Sequence, residues 1–419
     1  MSANASRRAA HPIDIRVGFM PLVDCAPLIV AAKLGFAEEE GLHLVLERES
    51  SWAALRDRIS VGHLDAAHML APMPIAANLG LMAFAGPLVA PLALGTGGNT
   101  VTVSRDLGAA LIEAGGPPDL DAAMALQAIK RVVADRATHG RPRLAFGIVH
   151  PHSAHHYQLA YWLSAAGVEP GHGVEFVVVP PPQMPAALAQ GHVDGFCAGE
   201  PWGSVSVAQG SGHILTTGTH IWRGSPEKML GLRSDFADAD AARVASIVRA
   251  VYRAAEWSDK PANRGELASL LPRPEHLDQP AEVIRRGLDR RLTGLAGAEV
   301  EAPGFMTFAA GAATFPWISH AVWLYAQMVR WGQVEHTAAA LATAMASFRP
   351  DLARAALGPL GVALPQADAK VEGALAAETP MPATSGTIPM GPDAFFDGGL
   401  FDLARVDEIL AASTAAHRA

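Results

Sequence analysis

The sequence predicts an α/β protein built from two similar lobes, and three observations carry that reading. The stretch VGHLDAAHML at 61–70 returns about 130 residues later as QGHVDGFCAG at 190–199. Each copy closes a run whose hydrophobic spacing alternates between a strand period and a helix period. Finally, 419 residues with half of them hydrophobic suffice for two or three domains with a large core.

The first run opens with Ile13–Met20, which alternates as a strand does. Asp24 is placed to cap a helix with Pro27 in its first turn, and that helix ends at Gly35. GLHLVLERE is a second strand, WAALRDRISVG has helical spacing up to Gly62, and LDAAHML is a short buried strand. The order β-α-β-α-β predicts a parallel sheet with helices on its faces.

The second run repeats the first. RLAFGIV at 143–149 is a strand, and Ser153 caps the helix AHHYQLAYWLSAA, which closes at Gly167. VEFVVVP is a strand, QMPAALAQG a helix ending at Gly191, and VDGFCAG a strand. In each Gly-His-x-Asp copy the glycine ends a helix in the left-handed conformation and the aspartate opens the next strand. The histidines, His63 and His192, are expected on the surface of those turns. Two such lobes imply a cleft between them, with ligands beyond the carboxyl ends of the strands.

The remainder is less patterned. A long amphipathic helix is expected over 239–257, and helices over 261–271, 280–290 and 317–333 are expected to pack on the first lobe. Residues 364–395, rich in Pro, Ala, Gly and Thr, read as an irregular arm or linker, followed by a final helix over 401–416. The expected division is 13–98 for the first part of lobe I, 99–226 for lobe II, 227–335 for the return to lobe I, and 336–419 for a C-terminal extension.

A net charge of −9 and a pI near 6 exclude a nucleic-acid-coating surface, though not a small local anion site. Cys25 and Cys197 lie far apart; a disulfide is possible, but free buried thiols are the plainer reading. The opening MSANASRRAAHPID carries Arg7 and Arg8 but no apolar stretch before Asp14. That predicts no export signal and, for a complete chain, a cytoplasmic protein. No run of about 20 apolar residues predicts a membrane span.

Catalytic motifs are scarce. There is no phosphate loop, no G-x-S-x-G elbow and no Cys-x-x-Cys pair, so no enzyme is expected. The histidine cluster HPHSAHH admits two readings. His152 and His156 have zinc-ligand spacing but no thiol or carboxylate nearby. Alternatively, the helix N-terminus there favours an anion, with His155 as a further donor. Glu200, in GEPW after a strand end, either binds a cation or holds a backbone turn, and Gly199 precedes it. Trp52 sits at a strand-to-helix turn, where a core role is the ordinary alternative. Lys228 is one of only five lysines beside 27 arginines, and a compact ammonium suits a small monovalent anion.

Five ordered blocks carry a resemblance: VGFMPLVDCAPLIVAAKLGFAEEEGL, SSWAALRDRISVGHLDAAHMLAPMP, HPHSAHHYQLAYWL, VVVPPPQMPAALAQGHVDGFCAGEPW and IWRGSPEKMLGLRSDF. Together they resemble the nitrate-binding family of ABC-type solute-binding proteins. The resemblance implies a two-lobed type II periplasmic-binding-protein fold with the ligand between the lobes. By matching motifs it implies ligand-binding roles for Trp52, His155 and Lys228, with Gly199 and Glu200 beside them. Asn99, in GGNTV, falls where the family often has Gln. Bicarbonate-binding relatives use calcium and an acidic group, and Asn99 with no acid at that point argues against calcium, so no metal or cofactor is expected.

Within this family the missing export signal favours the cytoplasmic nitrate/nitrite sensors (NasS-type). That resemblance implies an RNA-binding antiterminator (NasT-type) as partner, released when nitrate binds, with no direct contact to nucleic acid or membrane. The alternative is the substrate-binding component of a nitrate ABC transporter. An enzyme of the same fold, such as a thiamine-pyrimidine synthase, is expected to carry a cysteine-rich motif that two isolated cysteines do not supply.

Overall fold

Two five-stranded sheets carry the fold in a computed structural model that describes residues 12–411. Arg7, Arg8 and the last part of the expected final helix, 412–416, lie outside the described residues; 406–411 are helical. In the first sheet the strands run in the order Leu42–Arg48, Ile13–Phe19, Ala66–Leu70, Lys228–Arg233, Leu88–Ala93. In the second the order is Val174–Val178, Leu144–Ile148, Gly195–Gly199, Asn99–Ser104, Gly212–Thr217. The two orders are the same: second strand, first, third, then one that arrives from the other sheet.

That fourth strand corrects the expectation of purely parallel sheets. Lys228–Arg233 runs antiparallel to Ala66–Leu70, and Asn99–Ser104 runs antiparallel to Gly195–Gly199. A strand entering from the opposite lobe starts at the cleft, where the parallel strands end, so it must run against them. Its first residue therefore lies opposite a parallel strand's last. Lys228 pairs with Leu70, and Asn99 pairs with Gly199. Sequence spacing within one lobe carries no trace of a strand that belongs to the other.

The repeated Gly-His-x-Asp now has a physical reason. Gly62 and Gly191 have φ of 76° and 71°, the left-handed conformation that ends each helix at little steric cost. Asp65 Oδ2 accepts the Arg16 N–H at 2.8 Å, and the Asp65 N–H donates to the Arg16 carbonyl at 2.9 Å. Asp194 Oδ2 accepts the Ala145 N–H at 2.8 Å, and its own N–H donates to the Ala145 carbonyl at 2.7 Å. Ladder pairing begins one residue later, at Val17 with Ala66 and at Phe146 with Gly195. Each aspartate thus satisfies the backbone donor just before two strands join, and sets their register. His63 and His192 are exposed on these turns.

Two further expectations change. Asp24 caps no helix: it lies in the short 3-10 turn Val23–Cys25, and Cys25 stands at the N-cap of the helix Ala26–Lys33. Nor do the later helices all pack on the first lobe. Ile318–Arg330 lies against Pro72–Asn78 of the first lobe and Ala154–Ser164 of the second, and Ala281–Leu288 touches Val23–Cys25 and Trp202–Ala208. The 364–395 arm is no linker. It forms the hairpin Thr379–Pro382 with Thr387–Met390 and seats Phe395 on Trp222, with ring centroids 4.7 Å apart. Within it Lys370 joins Glu372 to Asp393, the latter at 2.5 Å, and the Ser319 hydroxyl donates to Glu372 at 2.6 Å, which ties the arm to the helix Ile318–Arg330. Both cysteines are free and buried.

Asp194→Ala is expected to lose about 1–2 kcal/mol of stability, because the Ala145 N–H is left without a partner. Asp65→Ala should lose less, since its bond to Arg16 is exposed while that of Asp194 is half-buried. Urea unfolding of the two variants reads the difference; equal and negligible losses would mean that the motif does not set register.

Candidate functional site

Two crossovers join the lobes, and they are bonded to each other. The Leu94 N–H donates to the Lys228 carbonyl at 2.9 Å, and the Gly97 N–H to the Ser225 carbonyl at 3.2 Å. Gly97 must be glycine: its φ is 73°, and a Cβ there would meet the Phe305 carbonyl oxygen at 2.2 Å. The second crossover ends at Glu227, and Lys228 begins the returning strand. The chain therefore delivers two charged side chains to the junction of the lobes in consecutive positions.

Lys228 is 1 % exposed, and its ammonium needs partners. Its Nζ lies 2.9 Å from Asp24 Oδ2 and 2.8 Å from Glu227 Oε1. Burial alone would lower its pKa, but the two carboxylates outweigh that and raise it, so the lysine stays charged. Burial would likewise raise Asp24, yet Lys228 and His68 hold it well below the usual carboxylate range. His68 Nε2 stands 3.0 Å from Asp24 Oδ1. Burial pushes Glu227 up to about 6, against the pull of Lys228.

The second lobe meets this pair through Glu227. Asn99 Nδ2 donates to Glu227 Oε2, and His155 Nδ1 lies 3.1 Å from Glu227 Oε1. Burial, then Lys228, keeps His155 well below its ordinary pKa, hence neutral. Trp52, held at the start of its helix by the Ser51 cap, brings its ring within 5.8 Å of Lys228 Nζ and 5.7 Å of the His68 ring. The Trp52 indole N–H is buried without a partner, as are both amide atoms of Gln158 on the His155 helix. Unpartnered donors beside a buried ammonium are the chemistry of a small-anion site.

The structure thus gathers Trp52, Asn99, His155 and Lys228 in one cluster. Gly199 borders it: a Cβ there would stand 3.5 Å from Asn99 Oδ1 and 3.6 Å from Asp24 Oδ2. Glu200 is not brought to it. Its Oε1 accepts from the Ser204 N–H at 3.2 Å and lies 3.5 Å from Thr100 Oγ1, and burial raises its pKa to about 7. Thr100 follows Asn99 on one strand, so it faces the opposite side of the sheet. The Glu200 carbonyl accepts the Val23 N–H at 2.8 Å, which makes it a link between the lobes through its backbone.

Asp24, Glu227, His68 and Gln158 are the members that sequence reasoning missed. The acid was sought at the position of Asn99, whereas two carboxylates arrive from other elements. Lys228 stands between them, and among the described residues no group of three or more His, Cys, Asp or Glu side chains is arranged to hold a metal. His150, His152 and His156 are spent on local contacts: His150 Nδ1 accepts the His152 N–H, His152 meets the Tyr157 hydroxyl, and His156 meets the Pro151 carbonyl.

The junction is tightly packed: beside Asp24, Glu227 and Lys228 there is no room for a water-sized sphere. A separate cavity of about 240 Å³ shares Thr96 and Thr307 with the lining of that junction.

The model of the NMT1-like family matches residues 8–272. Among curated relatives, the nitrate import ATP-binding protein NrtC of Synechocystis sp. is 33% identical over 326 residues, 77% of this chain and 47% of NrtC. The chain therefore spans about half the length of that relative. The nitrate/nitrite binding protein NrtA of Nostoc sp. is 29% identical over 418 residues, covering 98% of this chain and 88% of NrtA. Among solved structures, the periplasmic nitrate-binding protein NrtA from Synechocystis PCC 6803 superposes with a TM-score of 0.83 at 26% identity, over 96% of this chain and 98% of that one. The two-lobed periplasmic-binding-protein fold is shared with it.

Lys228→Ala leaves Asp24 and Glu227 buried without their cation, and a loss of about 3–5 kcal/mol is expected. The deficit should shrink as pH falls, because both carboxylates escape the penalty by taking protons. Unfolding curves at about pH 5 and pH 8 measure this; a deficit that grows on acidification would contradict the pairing described.

Proposed function

This chain belongs to the NMT1-like family, and on that premise we propose that it is the solute-binding component of an ABC-type importer, taking nitrate or nitrite between its lobes. The observation that carries this is the buried Lys228 ammonium at the lobe junction, with Trp52, Asn99 and His155 around it. Nitrate is small, planar and weakly hydrated. It needs one compensating charge and several donors lying near its plane. Lys228 supplies the charge, and the Trp52 indole N–H, the Asn99 amide and His155 supply donors from both lobes. A ligand that bonds to both lobes favours the closed arrangement over the open one by its extra contacts there.

The names of the relatives, nitrate import and nitrate/nitrite binding, support transport over the sensor expected from the sequence. The sensor uses the same closure to release an antiterminator. Co-purification with an RNA-binding antiterminator that nitrate dissolves would move the assignment to regulation; association with a permease and an ATPase supports transport.

Calorimetry with nitrate, nitrite and bicarbonate tests the ligand. Trp52→Phe should keep the ring's packing but lose one hydrogen bond, weakening nitrate by about 1–1.5 kcal/mol, close to tenfold. Prior treatment with a chelator should leave nitrate affinity unchanged, because the charge is supplied by Lys228. An absolute need for added calcium would point instead to bicarbonate.

A further inference from the structure

Glu227 poses a difficulty for any anion at this site. Its carboxylate already takes Lys228 Nζ at 2.8 Å on Oε1 and the Asn99 amide on Oε2, with His155 Nδ1 3.1 Å from Oε1. These are three of the four side chains that would hold nitrate. A carboxylate and nitrate share a planar trigonal centre with oxygens at similar spacing, so the donors that suit one suit the other.

Resting on the anion-binding reading above, we propose that Glu227 stands in the ligand's place: an incoming oxyanion takes over Lys228, Asn99 and His155 from it. Glu227 is released by taking one proton from solvent. No bond is made or broken other than that protonation, so each anion bound carries one proton in with it.

The charges around Glu227 make the proton necessary. Facing it are Lys228, the next residue, Asp24 from the Val23–Cys25 turn, His155 from the Ala154–Ser164 helix, the Asn99 amide, and the buried thiol of Cys197. Asp24 is kept ionised by Lys228 and His68, and His155 is neutral. The thiol is pushed up by burial and stays protonated. With Glu227 ionised the cluster already carries one more negative charge than positive. A second anion at hydrogen-bond distance from an ionised carboxylate, away from water, is strongly disfavoured. Burial brings Glu227 up to about 6, which leaves protonation within easy reach near neutrality.

Glu227 also spans the lobes. Lys228 belongs to the first sheet, Asn99 to the second, and the carboxylate joins them. The side chain therefore does internally what the ligand is proposed to do, and it sets both the affinity and its pH dependence.

Nitrate calorimetry on the full chain at about pH 6 and pH 8, in two buffers of different ionisation enthalpy, is the test. The wild type should bind nitrate tenfold or more weakly at the higher pH, with close to one proton taken up per nitrate there. Glu227→Gln should bind more tightly than the wild type at pH 8, lose the pH dependence and take up no proton. The proton count needs no variant, so it stands even if Glu227→Gln folds poorly. Binding by Glu227→Gln alone also supports the inference. Wild-type binding that is equal at both pH values, with no proton uptake, overturns the role of Glu227 and leaves the anion site standing. Binding of nitrate to neither protein overturns the anion site itself, and this inference with it.

Discussion

A buried ammonium held by two carboxylates governs the arrangement at the lobe junction. Lys228 contacts Asp24, which belongs to the first lobe, and Glu227, which reaches across to Asn99 and His155 of the second. Such a charge is tolerated only where its partners are fixed, and here the fixing is done by backbone. The Val23 N–H is tied to the Glu200 carbonyl, the Ala71 N–H to the Glu227 carbonyl, and the paired crossovers hold Lys228 at the mouth of its strand. The same triad appears in the arm, where Lys370 lies between Glu372 and Asp393. Two of the chain's five lysines thus stand between acid pairs, in a protein that elsewhere prefers arginine. An ammonium is a compact point charge that two single oxygens can satisfy, whereas a guanidinium demands a wider fork of acceptors.

The electrostatic state of the junction follows from this packing rather than from any one residue. Asp24 is held ionised, the histidines neutral, and Glu227 near its tipping point by the same lysine and the same exclusion of water. Substituting Lys228 would therefore reset every other group at once. Effects of single substitutions here should not add, and a double-mutant comparison of Lys228 with Glu227 is the sound way to apportion them.

Much of this was legible in the residues, and what was not has physical causes. The two β-α-β-α-β runs are local patterns, so helix-ending glycines and strand alternation reveal them directly. Lys228 stands out by the rarity of lysine, and Trp52 by its position at a strand-to-helix turn. Asp24 was misread because an acid before a proline-started helix is the ordinary mark of a cap; its true partner lies 204 residues away. Glu227 was passed over because its meaning depends on Asn99 and His155, which only the fold brings near. The antiparallel fourth strand of each sheet was invisible for the same reason. The arm looked like a linker because its Pro- and Gly-rich composition hides a hairpin, and because its one aromatic, Phe395, finds Trp222 and Trp323 only in the fold.

The exchange of strands between the sheets also fixes an order of assembly during synthesis. The second sheet is complete in one unbroken stretch, from Asn99 to Thr217. The first sheet has a gap between Ala66–Leu70 and Leu88–Ala93 that only Lys228–Arg233 fills. As the chain leaves the ribosome, its first ninety or so residues cannot close their sheet until more than a hundred further residues have followed. The lobe that is made first is therefore finished last, and the strand that finishes it begins with the lysine buried at the lobe junction.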